Sequence, residues 1–293
     1  MQGLIIENIS NLYKIETENK IYEANARGKL KKNDITPVVG DNVEIEVIEE
    51  NEDKAVINEI LERKTYIKRP KMSNTTQIVL VLSSKNPKPD LLLLDKQLAF
   101  AEFLKINVVI VLNKIDLDKK QEFKELRKTY ENIGYTVIET NAKERQGIEE
   151  LKKKLKNNIN AFSGNSGVGK STLINALFKD DMTQEGEISS RNQRGKNTTT
   201  STKLYKIDKK TYIADTPGFS TFDISEISSD GLDKYFVEFK KEIEKCEFVG
   251  CTHIKEENCG VKKAIENGRI SQARYERFCK IYQELKELKK YKY

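Results

Sequence analysis

Residues Gly164-Asn165-Ser166-Gly167-Val168-Gly169-Lys170-Ser171-Thr172 satisfy every fixed position of the spacing G-x-x-x-x-G-K-[ST]. Glycines let a backbone turn tightly enough for successive N–H groups to face one small, highly charged anion. At this spacing Lys170 can reach the outer phosphates of a nucleotide, and the Ser171 hydroxyl can ligate Mg²⁺. The flanks agree. Ile159-Asn160-Ala161-Phe162-Ser163 reads as a short buried strand, and Leu173, Ile174, Ala176, Leu177 and Phe178 recur at helical spacing. A strand, a glycine loop and a helix aim a helix N-terminus at phosphate, and alternating units of this kind build doubly wound α/β sheets.

A phosphate loop does not choose the base. Asn113-Lys114-Ile115-Asp116 does, directly after the apolar strand Val108-Val109-Ile110-Val111-Leu112. At a strand's carboxyl end, the Asp116 carboxylate can accept from the ring N–H and the exocyclic amine of guanine together. Adenine has no amine there, so a hydrogen-bonded pair would go unmade, and GTP is favoured over ATP. Asp215-Thr216-Pro217-Gly218 follows the strand Thr211-Tyr212-Ile213-Ala214 and resembles the D-x-x-G motif of GTPases. There the Asp holds Mg²⁺ through water and the Gly N–H senses the γ-phosphate. Asn141-Ala142-Lys143, after Tyr135-Thr136-Val137-Ile138-Glu139, resembles the serine-alanine-lysine-like loop that comes last in an ordinary GTPase. Here it and N-K-x-D precede the phosphate loop, and D-x-x-G follows it. The order is circularly permuted, which is tolerable where cut and join fall in surface connections.

With these motifs in this order, the chain resembles the ribosome small subunit-dependent GTPase A (RsgA, or YjeQ-type) family over almost its whole length. The resemblance implies GTP hydrolysis by a protein that binds the small ribosomal subunit and its rRNA. It would assist late maturation and leave after hydrolysis to GDP. A GTP-gated RNA-binding protein acting off the ribosome is the other reading. Two departures touch the catalytic residues. Phe219 stands after D-T-P-G, where many GTPases carry a water-orienting Gln. In Gly195-Lys196-Asn197-Thr198-Thr199-Thr200, Asn197 stands where the family usually has His. Asn can orient a water but cannot take a proton near neutral pH. Lys170, Asn197, Thr199 and Gly218 are thus the expected catalytic set, with Thr198 close to the nucleotide. Ser171, Thr199 and Asp215 are the expected Mg²⁺ contacts. Slow intrinsic turnover, raised by a partner that orders Thr183–Thr202, is the corresponding expectation.

A chain of 293 residues has room for about two domains or a few small ones. Residues 1–68 alternate apolar and polar in short runs such as Val43-Glu44-Ile45-Glu46-Val47-Ile48, broken at Asn33-Asp34, Gly40-Asp41 and Asn51-Glu52-Asp53. That is the pattern of a small antiparallel barrel. Pro37-Val38-Val39-Gly40-Asp41 resembles the family's segment, which implies an OB-fold. Arg27, Lys29, Lys31 and Lys32 would cluster near one loop, either against RNA or as a solvated loop. Arg69-Pro70 marks the start of a GTPase domain over 69–224, in which strands at 76–82, 107–112 and 135–140 alternate with helices at 91–103, 119–132 and 147–157. The strands Lys203–Ile207 and Thr211–Ala214 read as a hairpin. The start has no basic region before a long apolar core, so no signal peptide is expected. The run Leu91–Leu94 is too short to span a bilayer, and a cytoplasmic monomer with no membrane partner is expected.

Residues 225–293 form the third expected domain. Cys246, Cys251, His253 and Cys259 are spaced C-x₄-C-x-H-x₅-C. Three thiolates and an imidazole make a closed tetrahedral set suited to structural Zn²⁺, with no position left for a reactive water. A reduced cluster of buried thiols is the other reading, and the resemblance implies the zinc site. Cys279 lies outside the spacing, in a helical stripe with Tyr275, Phe278, Tyr282 and Leu285, and reads as core. From Val261 to Tyr293 ten Lys and Arg stand against four Glu, a net of +6 that equals the formal charge of the whole chain. A basic helical tail can face RNA on one side and pack an apolar stripe on the other.

Overall fold

The computed structural model describes residues 1–28, 30, 36–49, 51–178, 202–215 and 224–290. The chain begins with strands β1 (Gln2–Ile9), β2 (Leu12–Glu16), β3 (Ile21–Ala26), β4 (Asn42–Ile48) and β5 (Asn51–Ile60). In β4 the alternation is literal, with Val43 and Ile45 buried and Glu44 and Glu46 exposed. The order β1-β2-β3-β5-β4 closes because β4 pairs back on β1, Gln2 opposite Glu44 and Leu4 opposite Asn42. Ile5, Tyr13, Ile15, Ala24, Val43, Ile45, Ala55 and Ile57 fill the barrel. One pairing differs from the expected antiparallel pattern. β3 and β5 run parallel, Ala24 beside Ala55, joined by a crossover connection that carries β4 and not by a hairpin.

Next come β6 (Tyr66–Lys68) and β7 (Lys71–Ser73), which pair across Arg69-Pro70, and β8 (Gln77–Ser83). Helix α1 (Leu91–Leu104), β9 (Asn107–Asn113), α2 (Glu122–Asn132), β10 (Thr136–Thr140), α3 (Ile148–Leu155), β11 (Ile159–Ser163), α4 (Lys170–Phe178), β12 (Lys203–Asp208) and β13 (Thr211–Asp215) follow. The alternation read from the sequence is present throughout. Helix α2 starts at Glu122, three residues after the expected start at 119. The Asp118 carboxylate accepts from the backbone N–H groups of Glu122 and Phe123 and caps the helix there. The last helices are α5 (Lys240–Ile243), α6 (Gly260–Glu266) and α7 (Gln272–Lys290).

These elements fall into two compact units. The described residues of Met1–Val79, Ala142–Ser163 and Lys170–Phe219 form the first. Within it β11 pairs parallel with β13, β13 pairs antiparallel with β12, and β12 touches β1 of the barrel at Lys203 opposite Glu7. The described residues of Leu80–Asn141, Gly164–Gly169 and Ser220–Tyr293 form the second. Here β9 lies parallel to β10, Ile110 beside Val137, and α7 packs on α1. Phe236, Phe239, Phe278, Ile281 and Leu285 are buried in that packing. Among the described residues, no helix is long and apolar enough to cross a membrane.

The tail is less free than its charge suggested. Arg274 is 1% exposed and binds Asp95 of α1 through Nη1 at 2.5 Å and Glu238 through Nε at 2.5 Å. Arg277 Nε donates to the other Asp95 oxygen at 2.5 Å. Arg269 and Lys289 pair with Glu242 and Asp230. The core stripe of α7 is therefore Arg274, Phe278, Ile281, Tyr282 and Leu285, while Tyr275 and Cys279 are half-buried at its margin.

Candidate nucleotide and metal sites

The phosphate loop has the backbone its glycines predict. Gly164, Gly167 and Gly169 have φ of +140°, +80° and +102°, a region that side chains disfavour. Two of the three also make room. A Cβ on Gly164 would stand 2.2 Å from the Val81 carbonyl oxygen, and one on Gly169 would stand 2.3 Å from Asn113 Nδ2.

The Asn113–Asp116 motif is tied to this loop. Asn113, at the end of β9, is buried, and its Nδ2 donates to the Val168 carbonyl at 2.9 Å. Thr140 Oγ1, at the end of β10, donates to Asn113 Oδ1 at 3.0 Å and so fixes the amide's orientation. Lys114 has φ +61°, and its Nζ donates to the carbonyls of Gly167 at 2.7 Å and Asn86 at 2.5 Å. Ser84 Oγ donates to the Lys114 carbonyl at 2.7 Å. Ile115 and Asp116 lie on a 3₁₀ turn, with Asp116 exposed. Asn141 is buried just beyond β10. Asn165 is half-buried and Ser166 exposed in the loop.

In the other unit, Lys170, Ser171 and Thr172 open α4, with Ser171 and Thr172 exposed. Burial pushes the Lys170 ammonium below its usual value, which a bound polyphosphate would reverse. Ala142 is buried and Lys143 exposed. Asp215 ends β13, whose Ala214 lies beside Ala161 of β11, the strand leading to the loop. Lys29, Lys31, Lys32, Asn197, Thr198, Thr199, Thr216, Pro217, Gly218 and Phe219 lie outside the described residues.

Cys246, Cys251, His253 and Cys259 are brought together. Their ligand atoms all lie within 4.8 Å of one another. His253 Nδ1 is 3.3 Å from Cys259 Sγ and 3.6 Å from Cys246 Sγ, and the two sulfurs are 4.0 Å apart. A tetrahedral ion with Zn–S of about 2.3 Å and Zn–N of about 2.0 Å needs edges of roughly 3.5–3.8 Å. The set fits a metal. Burial pushes the Cys251 and Cys259 thiols up, so the thiolate form requires a cation among them. Glu256 shapes the loop. It accepts from the N–H groups of Thr252, Ile254 and Lys255 and from the Thr252 hydroxyl, and against the effect of burial the Thr252 and Lys255 donors help hold its carboxyl down to about 2. Cys279 is not in the cluster.

Sequence reasoning missed Asn86 and Ser84, the partners of Lys114. They sit in an unremarkable polar run and acquire a role only where β8 ends near β9. The arrangement in this permuted order defines a circularly permuted GTPase. The crystal structure of YloQ, a circularly permuted GTPase, matches with a TM-score of 0.81 and 31% identity over 98% of this chain and 95% of that one. The RsgA GTPase family profile matches residues 60–225 and the RsgA N-terminal domain profile matches residues 2–57, and the chain belongs to the RsgA GTPase family. The crystal structure of YjeQ from Thermotoga maritima matches with a TM-score of 0.84 and 36% identity over 97% of this chain and 98% of that one. A curated relative from Alkaliphilus metalliredigens, named small ribosomal subunit biogenesis GTPase RsgA, is 40% identical over 99% of both chains. One of the same name from Clostridium perfringens is 42% identical over 97% of this chain and 98% of its own.

Proposed function

We propose that this family member hydrolyses GTP to GDP while bound to the small ribosomal subunit and its rRNA, assists late maturation of the subunit, and leaves on hydrolysis. The observation that carries the GTP reading is the pair of bonds from Asn113 and Lys114 to the carbonyls of Val168 and Gly167. It joins a base-reading motif to a phosphate loop that follows it in sequence. The ribosomal reading is supported by the names of relatives that align over the full chain.

In this reading Asp116 accepts from guanine, with Asn113, Lys114, Ile115, Asn141, Ala142 and Lys143 around the base. Residues Gly164 to Thr172 wrap the phosphates, and Thr198 lies beside them. Ser171, Thr199 and Asp215 would hold Mg²⁺, which supplies charge neutralisation on the phosphates. Lys170 offsets charge on the transferring phosphoryl group, Asn197 orients the water, and the Gly218 N–H senses the γ-phosphate. Cys246, Cys251, His253 and Cys259 would hold Zn²⁺ in a structural role. The chain acts as a cytoplasmic monomer of three domains, 1–68, 69–224 and 225–293.

GTP hydrolysis by the purified protein, alone and with small ribosomal subunits, tests this. We expect a rise on adding subunits that Lys170→Ala abolishes. Tight GTP binding without any rise would remove the ribosomal trigger.

A further inference from the structure

The chain has a single histidine, and it sits among the clustered thiols. Its two ring nitrogens face different chemistry. Nδ1 faces the sulfurs of Cys259 at 3.3 Å and Cys246 at 3.6 Å. Nε2 faces away from them, 3.4 Å from Asp233 Oδ2. A neutral imidazole carries its proton on one nitrogen and ligates through the other, so the group at Nε2 decides which nitrogen is free to ligate.

The surroundings leave the ring little choice of orientation. His253 is completely buried and its backbone has φ +62°, in the left-handed region. The Tyr275 hydroxyl donates to its carbonyl at 2.7 Å, and Phe239 meets the ring edge-on at 6.0 Å. Turning the ring over would put Cδ2 toward the sulfurs and Cε1 toward the carboxylate, so both polar contacts would be lost. Asp233 comes from elsewhere in the chain, on the 3₁₀ turn Ser229–Tyr235 ahead of all three cysteines of the cluster. Its carboxylate is largely buried, and Oδ1 has no hydrogen-bond partner among the described residues. Among the described residues no Lys or Arg pairs with it, a costly arrangement for a largely buried carboxylate unless it serves the ring.

We infer that Asp233 is a positioning residue of the metal centre: it accepts a hydrogen bond from the Nε2–H of His253, fixes the tautomer, and presents Nδ1 to the ion. This rests on the proposed zinc site. It also ties the segment that follows the Asp215 motif to a metal ligand, so the centre clamps that segment as well as its own loop.

The full-length protein, loaded with zinc and labelled with ¹⁵N at its one histidine, provides the test. A long-range ¹H–¹⁵N correlation is expected to show Nδ1 bound to metal and Nε2 protonated. Competition with a chromophoric chelator is expected to show zinc held tenfold to a hundredfold less tightly in Asp233→Ala, in the range for lost outer partners of ligands. Asp233→Asn, whose amide oxygen still accepts, should keep most of that affinity. Metal on Nε2, or undiminished zinc affinity in Asp233→Ala, overturns the inference while leaving the zinc site standing. A chain that takes up no zinc at all fails the reading beneath it. Should Asp233→Ala not fold, the tautomer of the unaltered protein decides alone.

Discussion

Asp41 and Asp95 are both fully buried carboxylates, one in each compact unit, and they are satisfied in opposite ways. Asp41 is served from nearby. It accepts from the Val38 N–H at 2.8 Å, from the Ser73 hydroxyl at 2.6 Å, and from Arg63 Nε and Nη2 at 2.7 and 2.8 Å. Arg63 is still 23% exposed. Asp95 is served from the far end of the chain. Arg274 and Arg277 stand 179 and 182 residues away, and the Tyr130 hydroxyl adds a third donor at 2.7 Å. Arg274 is sealed between the rings of Tyr130 and Phe236, each 5.1 Å from it. Burial works against the charge of that guanidinium, but Asp95 and Glu238 outweigh it and hold its pKa above the usual value. A carboxylate whose cation can reach water is a local turn device. One whose cation cannot is a commitment of the whole unit.

The difference predicts unequal costs. Asp95→Ala strands Arg274 with Glu238 alone, and breaking a buried ion pair by removing one partner costs about 3–5 kcal/mol. The loss should appear as faster amide exchange throughout α7. Removing the Asp95, Arg274 and Glu238 charges together, as Asp95→Leu with Arg274→Met and Glu238→Gln, should cost less than the single change, because only the less deeply buried Arg277 then loses its partner. A triple variant that exchanges faster than Asp95→Ala would break the comparison.

Asp41→Ala should cost less, about 1–3 kcal/mol for orphaned donors, because Arg63 can turn to solvent. Exchange of the Val38 and Ser73 amides reads this, and an effect as large as that at Asp95 would show that local supply confers no advantage. The smallest effect belongs to Lys289→Ala. That pair is exposed at both ends, and such pairs are worth about 0–1 kcal/mol. The Lys289 ammonium and the Ser229 hydroxyl hold the Asp230 carboxyl below its usual range. The small contribution is therefore present above about pH 4, the unfolded value, and is lost as pH falls through the folded one. Lys289→Ala should flatten that acid-side slope in an α7 exchange profile.

The same contrast explains what could be read in advance. The sequence marks Gly40-Asp41 as a turn, and the structure gives the reason: Gly40 has φ +93° and a Cβ there would strike the Ser73 carbonyl at 2.1 Å, while the burial of the Asp41 carboxylate is not written in the sequence. Asp95 was not visible. It sits in a helix of leucines whose pattern calls only for burial, and its cations sit in a tail whose charge reads as a solvated face. The tail's net charge is legible in its composition, but Arg274 and Arg277 point into the protein, and composition carries no direction.

By itself the sequence determined the permuted order of the motifs and, within it, the loop Gly164–Thr172, the Asn113–Asp116 motif and the cysteine–histidine cluster. Each is written in residues a few positions apart, where backbone geometry converts spacing directly into chemistry. Only the tertiary structure decided that β3 lies parallel to β5, that Lys114 takes its hold on Gly167 and Asn86, and that Arg274 is sealed against Asp95. Those outcomes depend on which distant surfaces bury one another. Burial alone makes a charge or a strand edge choose its partner, because water no longer offers an alternative.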